Sequence, residues 1–274
     1  MVPLFSVLAV SASARIAVHG HRGARAVLPE NTLPAFEHAI EAGADFLELD
    51  VVVTRDNVPV VVHDPVLNPA ICQGPEGSRV VREMTLDQVR QFDCGAQKNP
   101  AFPKQRPLPG TRIPTLDEVL ALAPRGAFGF NIEMKSFPDK PQYAPPPEEF
   151  ARLVLAAVRR HGLEQRVIVQ SFDFRTLQAM KRLAPHIRLA ALWSAGARDF
   201  VSVAREAAAE IVAPQYRLVS PEQVQAAHRA GLQVVPWTVN DAEEWDRLIA
   251  AGVDGIITDD PAALVAHLKR RGLR

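Results

Sequence analysis

Long apolar runs are absent from the sequence, and this absence excludes one class of protein at once. No stretch approaches the roughly 18 uncharged apolar residues of a membrane-spanning helix, so we expect a soluble chain with no transmembrane segment. An excess of one charge is also missing, because 31 Lys and Arg residues are matched by 31 Asp and Glu residues. A chain without net charge has no general attraction to nucleic acid or anionic lipid. Its chemistry must therefore come from local groups of residues.

Cysteine is scarce, with only Cys72 and Cys94 present. A disulfide between them would be typical of an exported (periplasmic) protein, and two free thiols would be typical of a cytoplasmic one. Residues 1–15 are apolar and then small. They fit either an N-terminal extension before the first strand or a signal-peptide remnant that lacks its basic start. The compartment therefore stays open at this stage.

Short β-branched runs alternate with amphipathic helical patterns from residue 16 to the end. The eight predicted strands cover residues 16–20, 45–53, 127–134, 166–171, 187–192, 210–214, 232–237 and 253–258. Eight strand–helix repeats in about 250 residues predict an α/β fold, the TIM (β/α)8 barrel. The rival is an open doubly wound sheet, which would carry a glycine-rich phosphate turn after its first strand. Neither G-x-G-x-x-G nor the P-loop motif occurs, so the barrel is favoured.

One segment interrupts this alternation. Residues 65–114 are rich in proline and glycine and contain one short helical pattern, "TLDQVRQF". They follow "VPVVVHD", which we expect to pair with the second strand as a hairpin. The pattern predicts one barrel domain over residues 16–274 with a small insertion, residues 65–114, after the second strand. A shorter loop, residues 139–149, is expected at the carboxyl-terminal mouth of the barrel, where the insertion is also expected.

Acidic residues share one face of the second predicted strand. In "DFLELDVVV" the alternation of side chains places Glu48 and Asp50 on the same side. The third strand repeats the arrangement with Glu133 and Lys135. Three carboxylates without a cysteine suit one hard divalent cation, Mg²⁺ or Ca²⁺. A buried carboxylate–lysine network without a metal fits the same spacing.

Two histidines follow predicted strands at the end where such barrels hold their active sites. His21 ends the first strand and His63 ends "VPVVVHD". Two imidazoles can divide general-acid and general-base roles near neutral pH. His19 lies one layer deeper, and we expect it to be packed and hydrogen-bonded. The other histidines lie in or next to predicted helices and are expected to be structural: His38, His161, His186, His228 and His267.

Positive charge accompanies these groups. Arg22 adjoins His21, and Lys135 follows the predicted third strand. A guanidinium group matches two oxygens of a phosphate. With a divalent cation beside it, this set predicts phosphoryl chemistry in which charge stabilisation and positioning provide most of the catalysis.

An ordered series of motifs resembles the glycerophosphodiester phosphodiesterases. The motifs are "HRG", "PENT", "ELDVVVTRD", "HD", "IEMK", "QSF", "PWTVND" and "GVDGIITDDP", spread over residues 17–262. The resemblance implies a TIM barrel with an insertion after the second strand. It also implies a metal-dependent hydrolase that converts glycerophosphodiesters into sn-glycerol 3-phosphate and an alcohol.

The resemblance also implies roles for individual residues. His21 and His63 match the general acid–base pair, and Arg22 and Lys135 match positions that hold the phosphate. Trp237 matches an aromatic residue that lines the substrate pocket. The matched ligands of one Mg²⁺ or Ca²⁺ ion are Glu48, Asp50 and Glu133. Glu30 and Asn31 match a stretch around the metal site, although Asn31 or Thr32 also fits the N-cap of a helix.

Two other functions remain open from the sequence. A phosphodiesterase of lipids, such as a lysophospholipase D, would need an apolar rim, for which the insertion offers Phe92, Phe102 and Leu108. A catalytically inactive phosphodiester-binding protein would keep the pocket without the chemistry. The sequence indicates neither the alcohol half of the substrate nor an oligomeric state.

Overall fold

The computed structural model describes residues 15–196 and 198–274, which form the predicted TIM (β/α)8 barrel. The strands are β1 (Ala17–Gly20), β2 (Phe46–Val53), β3 (Pro59–Val61), β4 (Gly129–Met134), β5 (Val167–Ser171), β6 (Arg188–Trp193), β7 (Ile211–Pro214), β8 (Gln233–Val234) and β9 (Gly255–Thr258). All of them except β3 are parallel and make up the barrel wall. The predicted N-terminal extension or signal-peptide remnant lies, except for its last residue, outside the described residues.

The helices cover the outside of this wall, except α2, which lies in the insertion. The helices are α1 (Leu33–Ala42), α2 (Leu86–Val89), α3 (Leu116–Leu120), α4 (Pro147–Arg160), α5 (Phe174–Leu183), α6 (Phe200–Ala207), α7 (Pro221–Arg229), α8 (Ala242–Ala251) and α9 (Pro261–Arg270). In α4, Phe150, Val154 and Val158 recur every four residues and are buried, which explains why this face packs on the sheet. In the part of the chain described, no helix is both long and apolar enough to cross a bilayer.

Two helices end at glycines. Gly43 after α1 and Gly252 after α8 both have a φ of 85°, in the left-handed region. Each backbone N–H donates to carbonyl groups of the last helical turn. Because a side chain is disfavoured in this conformation, glycine sets where each helix stops and where the next strand begins.

The barrel closes through its first and last strands. The strand order is β8-β7-β6-β5-β4-β2-β1-β9, and β1 pairs with β9 from Ala17 to Gly20. At the β8–β9 seam the Asp254 amide donates to the Val234 carbonyl (2.9 Å) and the Ile257 amide to the Pro236 carbonyl (3.0 Å). The prediction of a strand over residues 232–237 was too long, because Pro236 has no amide hydrogen to donate to a ladder.

Side chains of β2 alternate between the helix layer and the barrel interior. Leu47, Leu49 and Val51 are fully buried against the helices. Glu48 and Asp50 point the other way, into the barrel. Below them the interior is filled by an apolar plug whose members are Ile168, Ala190, Ile211, Val235 and Ile257. The acids therefore lie above this apolar layer, at the carboxyl end of the strands.

Residues 65–114 lie beside the barrel and pack around a hydrophobic cluster of their own. The predicted hairpin is confirmed, since β3 pairs antiparallel with β2 and leads into this segment. Cys72 and Cys94 are joined by a disulfide. Phe92 is only 1% exposed, so the idea that it belongs to an apolar rim is wrong. Its ring packs inside the cluster instead.

Candidate active site

Three carboxylates from two neighbouring strands meet inside the barrel mouth. The register of β2 and β4 places Asp50 directly opposite Glu133. Glu48 lies two residues before Asp50, on the same face. One ligand oxygen from each of the three residues lies within 4.8 Å of the others. The sequence-predicted metal ligands are therefore brought together by the strand pairing alone.

Burial makes this cluster electrostatically unfavourable by itself. Burial first, and then the charges of Asp50 and Glu133, raise the pKa of Glu48 well above its usual value. The pKa of Glu133 is also raised, mainly by burial. Asp50 differs: its burial is outweighed by Arg22, His63 and Lys135, which together lower its pKa. Positive charge beyond that of Arg22 and Lys135 is thus needed before all three acids can ionise together.

The donor set fits a hard divalent cation. The ligand atoms are carboxylate oxygens, and among the described residues Oδ1 of Asp50 is buried without a hydrogen-bond donor, with Nζ of Lys135 at 3.6 Å. A buried carboxylate oxygen that accepts no hydrogen bond is costly unless cations compensate it. The cluster can therefore hold a metal ion, with Glu48, Asp50 and Glu133 as its ligands.

His21 is held by a carboxylate that the sequence analysis did not assign. Asp259 follows β9, the strand beside β1, and its Oδ1 lies 2.6 Å from Nδ1 of His21. Burial raises the pKa of Asp259, but its hydrogen bond with His21 and nearby charges outweigh this and lower it. An ionised carboxylate only accepts, so Nδ1 of His21 donates to Asp259. Nε2 is left facing Glu48, at 4.0 Å from its carboxylate.

His63 has the same arrangement with its neighbour in sequence. Its Nδ1 lies 2.7 Å from Oδ1 of Asp64. The hydrogen bond with His63 is the largest cause of the lowered pKa of Asp64. Nδ1 therefore donates, and Nε2 of His63 is the nitrogen left for proton exchange. The side chain of His63 is 33% exposed, against 12% for His21, so the two imidazoles differ in their access to solvent.

The predicted cationic residues contact the acids directly. Arg22 lies 2.7 Å from a carboxylate oxygen of Glu30 and 3.2 Å from one of Asp50. Nζ of Lys135 donates to Glu133 (2.8 Å) and lies 3.6 Å from Asp50. Both cations therefore compensate the carboxylates while they line the cavity.

The loop between β1 and α1 carries backbone strain at the site. Arg22 (φ 50°) and Asn31 (φ 57°) are in the left-handed region that side chains rarely adopt. The strain places the Arg22 amide 2.9 Å from Glu48 and the Asn31 side-chain amide 2.8 Å from Asp50. Thr32 is the N-cap of α1. Asn31 therefore contacts a predicted metal ligand and Thr32 caps the helix.

A cavity of about 320 Å³ opens above these groups. Trp237 lines it, and the indole nitrogen donates to the Ala213 carbonyl (2.7 Å), which fixes the ring. Phe172 packs edge-on against Trp237, with centroids 5.4 Å apart, and remains 44% exposed. The lining of the cavity thus combines these aromatic rings with the imidazole and guanidinium groups of His21, Arg22 and Arg25.

Gln170 and Asp259 were missed by sequence reasoning. The side-chain amide of Gln170, on β5, donates to Glu48 (2.8 Å) and accepts from Asn131 (3.0 Å). Both residues stood inside motifs, "QSF" and "TDDP", at strand ends. The signal was therefore present: polar residues at the carboxyl ends of strands next to those that carry predicted site residues.

His19 is a packed residue, as expected. It is 2% exposed, stacks on Phe46 with centroids 4.5 Å apart, and lies 3.3 Å from the Asn131 amide. Burial lowers its pKa to about 3. It is therefore a neutral member of the barrel interior beneath the acids.

Comparison with known proteins places this geometry in a family. The model of the glycerophosphoryl diester phosphodiesterase family matches residues 21–263. The glycerophosphodiester phosphodiesterase of Caldanaerobacter subterraneus subsp. tengcongensis is 37% identical over 259 residues, which cover 93% of this chain and 98% of that protein.

Solved structures agree with the fold. A Silicibacter pomeroyi DSS-3 protein, provisionally assigned as a glycerophosphoryl diester phosphodiesterase, superposes with a TM-score of 0.88 at 35% identity, covering 94% of this chain and 95% of that one. An Oleispira antarctica phosphodiesterase, in complex with the product sn-glycerol-3-phosphate, has a TM-score of 0.79 at 24% identity and covers 93% and 97% of the two chains. At that identity the second likeness shows the fold alone.

Proposed function

The chain belongs to the glycerophosphoryl diester phosphodiesterase family, and we therefore propose that it hydrolyses glycerophosphodiesters to sn-glycerol 3-phosphate and an alcohol. One observation carries the proposal. Three carboxylates that can share a cation lie beside two histidines, each with Nδ1 bound to an aspartate and Nε2 available. The product is the one named for the Oleispira antarctica neighbour.

We propose one divalent cation, Mg²⁺ or Ca²⁺, as the cofactor, held by Glu48, Asp50 and Glu133. When bound, such an ion offsets negative charge on phosphate oxygens and brings them to the acids. The buried Oδ1 of Asp50, which accepts no hydrogen bond from the described residues, supports this assignment. Gln170 and Asn31 orient two of the ligands through their side-chain amides, a support that metal sites commonly have.

His21 and His63 are proposed as the general acid–base pair. One imidazole accepts the proton of the attacking hydroxyl at Nε2, and the other donates a proton from Nε2 to the leaving alkoxide. The proton balance is the same whether water or the glycerol hydroxyl of the substrate attacks. Burial lowers the pKa of His21, which favours its neutral form near pH 7.

Substrate binding is assigned to Arg22, Lys135 and Trp237. Arg22 and Lys135 line the cavity and carry positive charge beside the acids. Charge-assisted hydrogen bonds to phosphate oxygens are stronger than hydrogen bonds between neutral groups. The fixed indole of Trp237 offers a flat apolar wall for the carbon chain of the glycerol half.

An assay for the release of sn-glycerol 3-phosphate tests the function. We expect purified protein to hydrolyse at least one of glycerophosphocholine, glycerophosphoethanolamine and glycerophosphoinositol with Mg²⁺ or Ca²⁺, and EDTA to stop turnover. His21→Ala and His63→Ala should each lower kcat at least about 100-fold, the scale of a lost general acid or base. His186→Ala, which changes an exposed histidine, is the matched control. Wild-type rates in either site variant would refute the assignment.

A lipid substrate is the second candidate, and the exposed ring of Phe172 beside Trp237 is the observation that favours it. The predicted rim on the insertion is weaker support, since Phe92 is buried. Turnover of glycerophosphocholine should be compared with turnover of lysophosphatidylcholine vesicles. Preference for the vesicles, lost in Phe172→Ser, would establish the lipid activity.

The disulfide between Cys72 and Cys94 supports an exported protein. Disulfides persist in oxidising compartments and are rare in the cytosol. Labelling of thiols in unfolded, unreduced protein from the native host tests this. No labelling is expected, and two labelled cysteines would favour the cytoplasm.

A further inference from the structure

The insertion is bonded directly to the loop that carries His21 and Arg22. The side-chain amide of Gln105 donates to the carbonyl groups of Arg25 (2.8 Å) and Leu28 (3.1 Å). The Arg106 amide donates to the Val27 carbonyl (2.9 Å). Gln105 is 4% exposed, so these bonds are shielded from water. The insertion therefore fixes the backbone of the β1–α1 loop at Arg25.

The Arg25 side chain is fixed by the same segment. Its guanidinium carbon lies 4.4 Å from the centroid of the Phe102 ring. Nε lies 3.4 Å from Glu30 and 3.5 Å from Asp259, which is ion-pair distance. Among the described residues, this buried Nε has no hydrogen-bond partner. Nε of Arg22 likewise has no hydrogen-bond partner among these residues, but Nη1 of Arg22 donates a 2.7 Å hydrogen bond to Glu30.

This geometry suits the binding of an anion. Arg25 lines the cavity together with His21 and His63. A guanidinium that lies over an aromatic ring keeps its N–H groups in the plane, where they remain available to phosphate oxygens. Arg22 and Lys135 both lie within 3.6 Å of Asp50, so part of their charge compensates that acid. The shortest distance to an acid is 3.4 Å for Arg25, against 2.7 Å for Arg22 and 2.8 Å for Lys135.

We propose that Arg25 is a further substrate-binding residue, which attracts the phosphodiester anion, and that Phe102 of the insertion is its positioning residue. The inference rests on the proposed function for the identity of the anion. The insertion then contributes to substrate binding through the ring of Phe102 and the buried side-chain amide of Gln105.

Steady-state kinetics with glycerophosphocholine test this. Arg25→Gln should raise KM about 10-fold or more, as expected for a lost charge-assisted hydrogen bond, with kcat within about 3-fold of wild type. Phe102→Leu should raise KM about 2- to 5-fold, the scale of a cation–π contact. Phe102→Tyr keeps the ring and should retain the wild-type KM. In the Arg25→Gln background, Phe102→Leu should have no further effect.

Arg106→Gln is the matched control, because it removes an exposed arginine of the same segment while its backbone bond is kept. A KM in Arg25→Gln equal to that in Arg106→Gln would overturn the proposal, as would Phe102→Leu and Phe102→Tyr behaving alike. Calorimetric titration with sn-glycerol 3-phosphate separates the two levels of the argument. If wild type shows no turnover, the proposed function fails, and weaker binding of this probe by Arg25→Gln still decides the role of Arg25.

Discussion

Paired imidazole and carboxylate groups define the site at the scale of single residues. Asp259 holds His21 through Nδ1, and Asn240 in turn donates to Asp259 at 2.6 Å. The carboxylate fixes both the tautomer and the orientation of the ring. A carboxamide of the same shape can donate to Nδ1 and so favour the wrong tautomer, with the proton on Nε2.

We therefore expect Asp259→Asn to lower kcat about 10- to 100-fold, the usual cost of losing the group that orients a site residue. The fold should be kept, because the substitution changes no volume. The measurement is kcat together with its pH profile. Asp260→Asn is the control, since Asp260 caps α9 and does not contact His21. Equal rates for the two variants would contradict the role of Asp259.

His19 makes stability depend on pH. Its folded pKa of about 3 lies below the value near 6.5 of an unfolded histidine. The unfolded chain therefore takes up the proton first as the pH falls. Stability is complete above about pH 6.5 and declines from there towards pH 3, with about 2 kcal/mol lost at pH 5.

Urea unfolding at pH 7.5 and pH 5 measures this loss. His19→Gln removes the titrating group, so its free energy of unfolding should fall about 2 kcal/mol less between the two values than that of wild type. His186→Gln, at an exposed position, should behave as wild type does. Identical losses in wild type and His19→Gln would refute the prediction.

At the scale of elements, the sequence predicted the barrel because each strand is an apolar run bounded by helix caps. Gly43 and Gly252 mark two of these boundaries by their left-handed conformation. The predicted strand over residues 232–237 was too long at its carboxyl end, because the hydrophobic pattern does not indicate that Pro236 lacks a backbone N–H donor. The pairing of Asp50 with Glu133 was predictable from alternation on two strands. The hydrogen bond from His21 to Asp259 depends on the predicted closure of the barrel, which brings β9 beside β1, and alternation within the strands does not indicate it.

We expect the stability of the insertion to depend on its disulfide. Cys72 and Cys94 are 22 residues apart in sequence. Constraining a loop of this length in the unfolded chain should contribute about 3 kcal/mol to stability. We expect Cys72→Ser/Cys94→Ser to lower the free energy of unfolding of the insertion by about this amount, measured by urea denaturation and by proteolysis within residues 65–114.

Reduced wild-type protein is the control for that experiment, because it lacks the bond but keeps both sulfur atoms in the cluster. It should resemble the double-serine variant. Equal protease resistance of oxidised and reduced wild type would show that the cluster holds the insertion without the disulfide.

At the scale of the whole molecule, the barrel fold places buried carboxylates close together at its mouth, which is electrostatically unfavourable. The pairing of β2 with β4 brings Glu48, Asp50 and Glu133 together above an apolar floor, where burial raises the pKa of two of them. Arg22 and Lys135 offset part of this repulsion. A divalent ion that binds only the folded chain would offset the rest, so metal binding and folding stability should be coupled.

We expect Mg²⁺ or Ca²⁺ to raise the Tm of wild-type protein and EDTA to reverse the effect. Free ion at about 100 times its Kd should add about 2.7 kcal/mol of stability. Glu133→Gln removes one ligand charge and should weaken the shift strongly, whereas Glu41→Gln, on the exposed face of α1, should leave it unchanged. A Tm that does not respond to either ion in wild type, or a full response in Glu133→Gln, would mean that the acids form a carboxylate–lysine network without a metal.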